Sequence, residues 1–427
     1  MKTLFSTTLF IVINFYCSLA GSIYDNSFTN KTLRIDLVHS GNFKTHSYSI
    51  QSLKEESDWA GSRVNLIDNS GIGDYKYSLI DLKSSKELFS RSYCSLFYEW
   101  QSTQEAKETN KSFFETIIMP FPKNNAILII YSRNKNTGNF DSIFSYRINA
   151  SSYFISQERK CIYPVKDILN SGNPATSVDI VLLPEGYTES EMEKFAADCE
   201  KFSKELFAFA PFTQHKAQFN IKAVMAPSAE SGADIPSQRI WKNTLLDCSF
   251  STFDSERYIM TENVPKVRDI AANTSYDIIY ILVNTDKYGG GAIYNYYSVS
   301  VMNNKFSKEI FLHELGHLFS GLGDEYYTSE TSYNEYYNLK LEPWEANLTT
   351  LVDFESKWKS KMYKSTPIPT PRTPEYKTML GAFEGGGYSS KGIYSPQQDC
   401  MMKSLSADGF CPVCIDAIEK MIQYYIN

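Results

Sequence analysis

Phe306-Ser-Lys-Glu-Ile-Phe-Leu-His313-Glu314-Leu-Gly-His317-Leu-Phe-Ser-Gly321-Leu-Gly-Asp324-Glu325-Tyr326 is the stretch that decides how the rest of the chain reads. On an α-helix, residues four apart share a face about one turn, ~5.4 Å, apart. His313 and His317 can therefore aim two imidazoles at one zinc ion, with Glu314 beside them to take a proton from a metal-bound water. Gly321 suits the left-handed geometry of a helix C-terminal cap. A chain that turns back there can present Asp324 as third ligand, and three protein ligands leave the open position of a catalytic zinc site. The chain has only five histidines, at 39, 46, 215, 313 and 317, and two of them fall at ligand spacing.

Outward from that stretch, 427 residues give room for two or three domains. The net charge of -7 argues against nucleic acid as the main partner. Residues 1–20 read as a signal peptide: Lys2, an apolar run from Leu4 to Tyr16, then Ser18-Leu19-Ala20 as a cleavage site. Cys17 offers a lipoprotein alternative, disfavoured by the bulky Phe15 and Tyr16 before it. No other apolar run approaches the roughly 20 residues that span a bilayer, so there is no transmembrane segment. The expectation is a secreted, periplasmic or cell-surface protein.

Export permits disulfides. Beyond the signal peptide stand Cys94, Cys161, Cys199, Cys248, Cys400, Cys411 and Cys414, an odd number. For Cys411-Pro-Val-Cys414 a structural metal would need two more ligands, and Cys400 supplies only one. The expectation is a disulfide within 400–414.

From 24 to 160 the pattern is short strands between turns: 32–38, 75–79, 86–93, 95–100, 112–119, 125–132 and 142–149. This spacing predicts an antiparallel β-sandwich over 21–160, a folding partner in which His39 and His46 are surface or hydrogen-bonded residues. Residues 150–176 read as a linker. Strands at 178–183, 219–225 and 277–283 then alternate with amphipathic helices at 189–209 and 264–272, the first opened by a Thr188–Glu191 capping box. Tyr288-Gly-Gly-Gly-Ala292 precedes a strand at 293–301, read as a sheet edge able to receive an extended peptide. Ser307 is the predicted N-cap of the histidine helix. Pro367 to Pro374 is a stiff, extended segment, and 413–426 a closing helix.

This order of elements resembles a metzincin-type metalloprotease, with Cys400-Met401-Met402-Lys403 in the place of the Met-turn beneath the metal. More closely, the chain resembles the IgA-peptidase family of zinc metalloendopeptidases. Ser90 to Trp100, Glu185-Gly-Tyr-Thr188, Leu282-Val-Asn284, Tyr288-Gly-Gly290, the histidine helix through Tyr326, Gly381 to Tyr388, Gly392-Ile-Tyr394 and Phe410-Cys-Pro-Val-Cys414 carry the likeness. It implies a multidomain α+β protein, the β-sandwich followed by a metzincin-like α/β zinc-protease domain at 161–427. It implies one Zn2+ held by His313, His317 and Asp324, Glu314 as catalytic base, and Met402 as the Met-turn methionine. Asp324 lies seven residues after His317 where ordinary metzincins have six, which keeps Glu325 open as an alternative ligand. No tyrosine closely follows the Met-turn to serve as a transition-state hydroxyl. The implied activity is endopeptidase cleavage of an extracellular protein, immunoglobulin A or another host glycoprotein. A catalytically silent adhesin or glycan-binding protein on the same scaffold is the alternative. The residues that bind substrate are not identified by the sequence.

Overall fold

A computed structural model describes residues 23–327 and 337–427. The expected signal peptide, its cleavage site and Cys17 lie outside these residues. No helix among the described residues is long and apolar enough to cross a membrane.

The first seven strands are β1 (Phe28–Gly41), β2 (His46–Asp58), β3 (Tyr75–Asp81), β4 (Glu87–Tyr93), β5 (Lys111–Pro122), β6 (Ala126–Arg133) and β7 (Phe140–Ile148). They form two antiparallel sheets, of order β2-β1-β5 and β4-β3-β6-β7. Leu33, Ile35 and Leu37 of β1 meet Tyr75, Tyr77 and Leu79 of β3 and Leu128 and Ile130 of β6 in one core. Each is an alternate residue of its strand, the period that turns one face of a pleated sheet inward. The strand β2 escapes sequence reading because it is an edge strand whose Lys54-Glu-Glu-Ser57 run carries no apolar alternation.

The stretch predicted as a strand at 95–100 is instead a short helix, α1 (Leu96–Trp100). Its Leu96, Phe97 and Trp100 sit at helical spacing and bury together. His39 and His46 are hydrogen-bonded, the second of the two places expected for them: His39 is buried, with Nδ1 2.6 Å from Glu115 Oε1 and Nε2 2.7 Å from His46 Nδ1.

The second part is built on a six-stranded sheet. Its strands are β8 (Val165–Leu169), β9 (Val178–Glu185), β10 (Phe219–Val224), β11 (Ile278–Val283), β12 (Gly290–Ile293) and β13 (Tyr297–Val301), in the order β12-β13-β11-β9-β10-β8. The four inner strands are parallel and the two outer ones antiparallel to their neighbours. Residues 165–169, expected within a linker, add an edge strand whose largely exposed side chains hide it from a hydrophobicity pattern. The edge strand of the histidine-helix end is 290–293, because 297–301 is covered on one side by β11 and on the other by β12.

The inner strands read as continuous apolar runs because both faces are covered. Ile180, Leu182, Tyr280 and Leu282 pack against α2 (Met192–Leu206), α4 (Ser307–Ser320) and α5 (Pro412–Ile426). Val181, Leu183, Ile279 and Ile281 pack against α3 (Val264–Ala271), α1 and Phe113 of β5. Each such buried side chain contributes about 1.5–3 kcal/mol. The capping box forms ahead of α2, Thr188 N–H donating to Glu191 Oε2 over 2.9 Å. Ser307 is not an N-cap; it is the first residue of α4, and its hydroxyl donates to Asn304 O at 2.7 Å.

Arg34 joins the two parts. It is wholly buried, donating from Nε to Asp36 (2.7 Å) and from Nη1 to Glu56 (3.0 Å) and to Asp269 of α3 (2.7 Å). Nη2 donates to Pro265 O at 3.0 Å. Removing one partner of a buried ionic cluster strands the others, at a cost of about 3–5 kcal/mol. Arg34→Ala is therefore expected to lower unfolding free energy by about that amount, measured by chemical denaturation at pH 7.

Candidate metal centre and its cleft

The helix α4 ends at Gly321, which takes the left-handed conformation (φ 61°, ψ 35°) and donates to His317 O at 3.0 Å; Leu322 N donates to Gly316 O at 3.2 Å. This Schellman-type reversal is the reason glycine is needed there. The chain then doubles back through Gly323, whose N–H and C=O are both held by the Asn347 amide at 2.8 Å. Gly387 N donates to Asp324 O (2.7 Å) and Tyr388 N to Tyr326 O (3.0 Å), tying the returning loop to the hairpin of β14 (Phe383–Gly386) and β15 (Ser389–Ser395).

The result brings His313, His317 and Asp324 together. The two Nε2 atoms are 3.1 Å apart, and Asp324 Oδ1 is 3.0 Å from the first and 3.3 Å from the second. Each imidazole has its Nδ1 on a backbone carbonyl, His313 on Met401 O at 2.9 Å and His317 on Leu322 O at 2.5 Å. Carbonyls only accept, so each Nδ1 carries its hydrogen and each neutral ring offers a bare Nε2 lone pair. Two lone pairs and a carboxylate oxygen on one small triangle repel unless a cation lies between them. Tetrahedral zinc with bonds of about 2.0–2.1 Å places neighbouring donors about 3.3–3.4 Å apart, close to this triangle.

The proton affinities report the same demand. Burial opposes a charge on His317, yet the Asp324 carboxylate beside it raises its pKa to about 9. Burial likewise favours neutral Asp324, but the imidazoles hold it well below the usual carboxylate range.

Glu314 follows His313 on α4 and lies against β12, where a Cβ at Gly290 would come within 2.7 Å of its Oε1. Burial raises its pKa. Met402 is buried under α4, its Sδ 2.5 Å from where a Cβ on Gly316 would stand. Glu325 does not join the histidines. It is fully buried and turns the other way, its Oε1 3.3 Å from Cys414 Sγ and 2.9 Å from Asn347 Nδ2.

The cleft over the triangle encloses about 150 Å³. One wall is β12; others come from Arg257, Tyr326, Tyr388 and, from the first part of the chain, Asp74 and Glu99. Glu99 of α1 accepts from Tyr258 O–H at 2.6 Å, and burial raises its pKa to about 7. Pro367 to Pro374 does not line this cleft; Thr370 N donates to Ala382 O at 2.8 Å and Arg372 to Glu384 O at 3.0 Å, packing the segment on the hairpin.

The chain matches the family described as IgA Peptidase M64 over residues 166–379 and 372–422, and that described as Peptidase M64 N-terminus over residues 23–145. It belongs to the IgA peptidase M64 family. No curated protein matches the chain. Membership of M64 makes it a peptidase, a hydrolase acting on protein, and suggests a metallopeptidase.

For an M64 chain, the residues that sequence reading left out are aromatic and polar. A search for a hydroxyl after the Met-turn misses Tyr326 and Tyr388, which precede it. The Tyr388 hydroxyl donates a short hydrogen bond to Asp324 Oδ2, and the Tyr326 ring stacks on His313 with centroids 6.2 Å apart. Arg257 Nη2 donates to Tyr326 O–H at 3.1 Å. The available signals are Tyr326 closing the histidine stretch and Tyr388 closing the Gly381 to Tyr388 block. A hydrogen-bonded partner of a metal ligand typically contributes 10–100-fold to metal affinity. Tyr388→Phe is thus expected to weaken about tenfold whatever divalent metal this triangle takes up, read with added zinc by competition with a chromophoric chelator.

Proposed function

We propose that this chain is an exported zinc-dependent endopeptidase. The observation that carries the reading is the triangle of His313 Nε2, His317 Nε2 and Asp324 Oδ1, 3.0–3.3 Å on a side, next to Glu314 and the edge strand of the sheet. Two imidazoles and one carboxylate are the donor set of a zinc site that keeps a position open. When bound, zinc supplies Lewis acidity toward the scissile carbonyl and the attacking water.

The chain's own residues do the rest. Glu314 holds the proton lost by the attacking water and returns it to the nitrogen of the leaving amine. Its half-buried place beside β12 keeps it within reach of a peptide laid on that strand. Tyr388 and Asn347 orient the ligand loop, and Met402 supports the helix from below as a Met-turn methionine does. Tyr326, which lines the cleft with its hydroxyl accepting from Arg257, is the hydroxyl we assign to face the carbonyl oxygen during attack.

Substrate docking on β12 is short. In the β12–β13 pairing alternate residues turn outward, and Gly290 already bonds Arg257 O and Ile259 N at 3.2 and 3.4 Å. Ala292 is then the outward peptide unit bordering the cleft. The substrate is a protein outside the cell, with immunoglobulin A and other host glycoproteins as the first to examine. The intact Glu314 and ligand set argue against a silent adhesin.

Glu314→Gln is expected to keep its zinc and lose about 10²–10⁴-fold in activity. The test incubates both proteins with a mixture of secreted host proteins, maps new peptide termini, and measures zinc in each. Equal zinc with no termini specific to the unaltered protein would overturn the reading.

A further inference from the structure

Four side chains beneath the cleft form a cluster that the peptidase reading does not use. Glu325, Cys400, Cys411 and Cys414 are 0–2 % exposed, and their donor atoms all lie within 4.8 Å of one another. Cys400 Sγ is 3.7 Å and Cys411 Sγ 3.5 Å from Cys414 Sγ. Glu325 Oε1 is 3.3 Å from Cys414 Sγ and 4.0 Å from Cys411 Sγ.

The expected disulfide within 400–414 is not formed: all three are free thiols, and these separations far exceed the ~2.05 Å of an S–S bond. They match a different geometry. Tetrahedral zinc with Zn–S of about 2.3 Å and Zn–O of about 2.0 Å sets sulfurs about 3.8 Å apart and sulfur and oxygen about 3.5 Å apart. We propose that Glu325, Cys400, Cys411 and Cys414 hold a second zinc ion, in a closed structural site behind the catalytic one.

Two further observations point to a cation there. Glu325 Oε2 is buried and has no hydrogen-bond partner among the described residues. A pair of cysteines could oxidise, but the third thiol and this carboxylate would remain buried without a partner, which is costly. The surroundings suit thiolates: Cys411 is the N-cap of α5, where the helix dipole favours negative charge, and Cys411 N–H donates to Cys400 Sγ at 3.2 Å. Lys403, whose Nζ is buried without a hydrogen-bond partner among the described residues, acts electrostatically on Glu325 and offsets surplus negative charge. Soft thiolate donors in a four-ligand cage select zinc over magnesium or calcium.

The site has a mechanical purpose. Glu325 is the neighbour of Asp324, and the two side chains leave the backbone in opposite directions, one to each centre. Cys400 sits just before Met401 and Met402, whose carbonyls accept from His313 Nδ1 and Glu325 N at 2.9 and 2.8 Å. An ion that ties Glu325 to Cys400 and to the start of α5 holds the ligand loop and the methionine loop at fixed spacing.

The test uses the full chain purified under reducing conditions, equilibrated with zinc and freed of excess. Zinc per chain is measured by plasma mass spectrometry and its neighbours by X-ray absorption. Two equivalents are expected in the unaltered protein. His317→Ala should keep one, with sulfur neighbours at about 2.3 Å. In the unaltered protein, Cys400, Cys411 and Cys414 should resist iodoacetamide until a strong chelator is added, a readout that needs no variant to fold. A single equivalent lost in His317→Ala, three thiols that alkylate without chelator, or a disulfide among them would each overturn the second site. A single equivalent that persists in His317→Ala with sulfur neighbours would support it and count against the catalytic centre instead.

Discussion

Two imidazole lone pairs and a carboxylate oxygen within 3.0–3.3 Å of one another are the constraint around which this molecule is arranged. The arrangement survives only because everything behind the three atoms is fixed. The imidazoles are held by carbonyls of two different loops, and the carboxylate by the Tyr388 hydroxyl. The loop that carries it is clamped on both sides of Gly323 by one asparagine amide. Helix α4, which positions His313, Glu314 and His317, is seated on the central sheet by Phe311, Leu312 and Leu315. Packing thus sets the electrostatics rather than the reverse. A cluster of mutually repelling donors stores its cost in the fold until a cation relieves it.

The helix portion of the site was legible from the sequence because helical geometry is local: a four-residue spacing fixes the relation of His313 to His317 wherever the helix lies. Gly321 was legible for the same reason, since its backbone need arises within one turn. The inner strands of the large sheet also stood out, being buried on both faces and apolar throughout. What failed to show were elements whose identity depends on a distant neighbour. The strands β2 and β8 are defined by one partner each and have exposed faces, so no pattern marks them. Leu96 to Trp100 has the composition of a strand and forms instead a helix that buries Leu96, Phe97 and Trp100 in the core shared with the central sheet.

Glu325 is the sharpest case. From sequence it competes with Asp324 for one role, since adjacent acids after a glycine turn look interchangeable. Adjacent residues on an extended segment point to opposite sides, and only the fold reveals that the opposite side holds three cysteines 75 or more positions later. The same blindness leaves Cys400, Cys411 and Cys414 one ligand short in the sequence, because the nearby carboxylate of Glu325 is remote in the chain.

Glu99 and Asp74 belong to the first hundred residues, yet they face the same cleft as the histidines. The recess is therefore a joint between two separately built pieces, like the gap between a jaw and its anvil. The β-rich piece thus shapes and charges one side of the recess while its α1 and Phe113 also pack on the central sheet. What fits the recess is thereby set in part by residues more than two hundred positions away in sequence from the histidine helix.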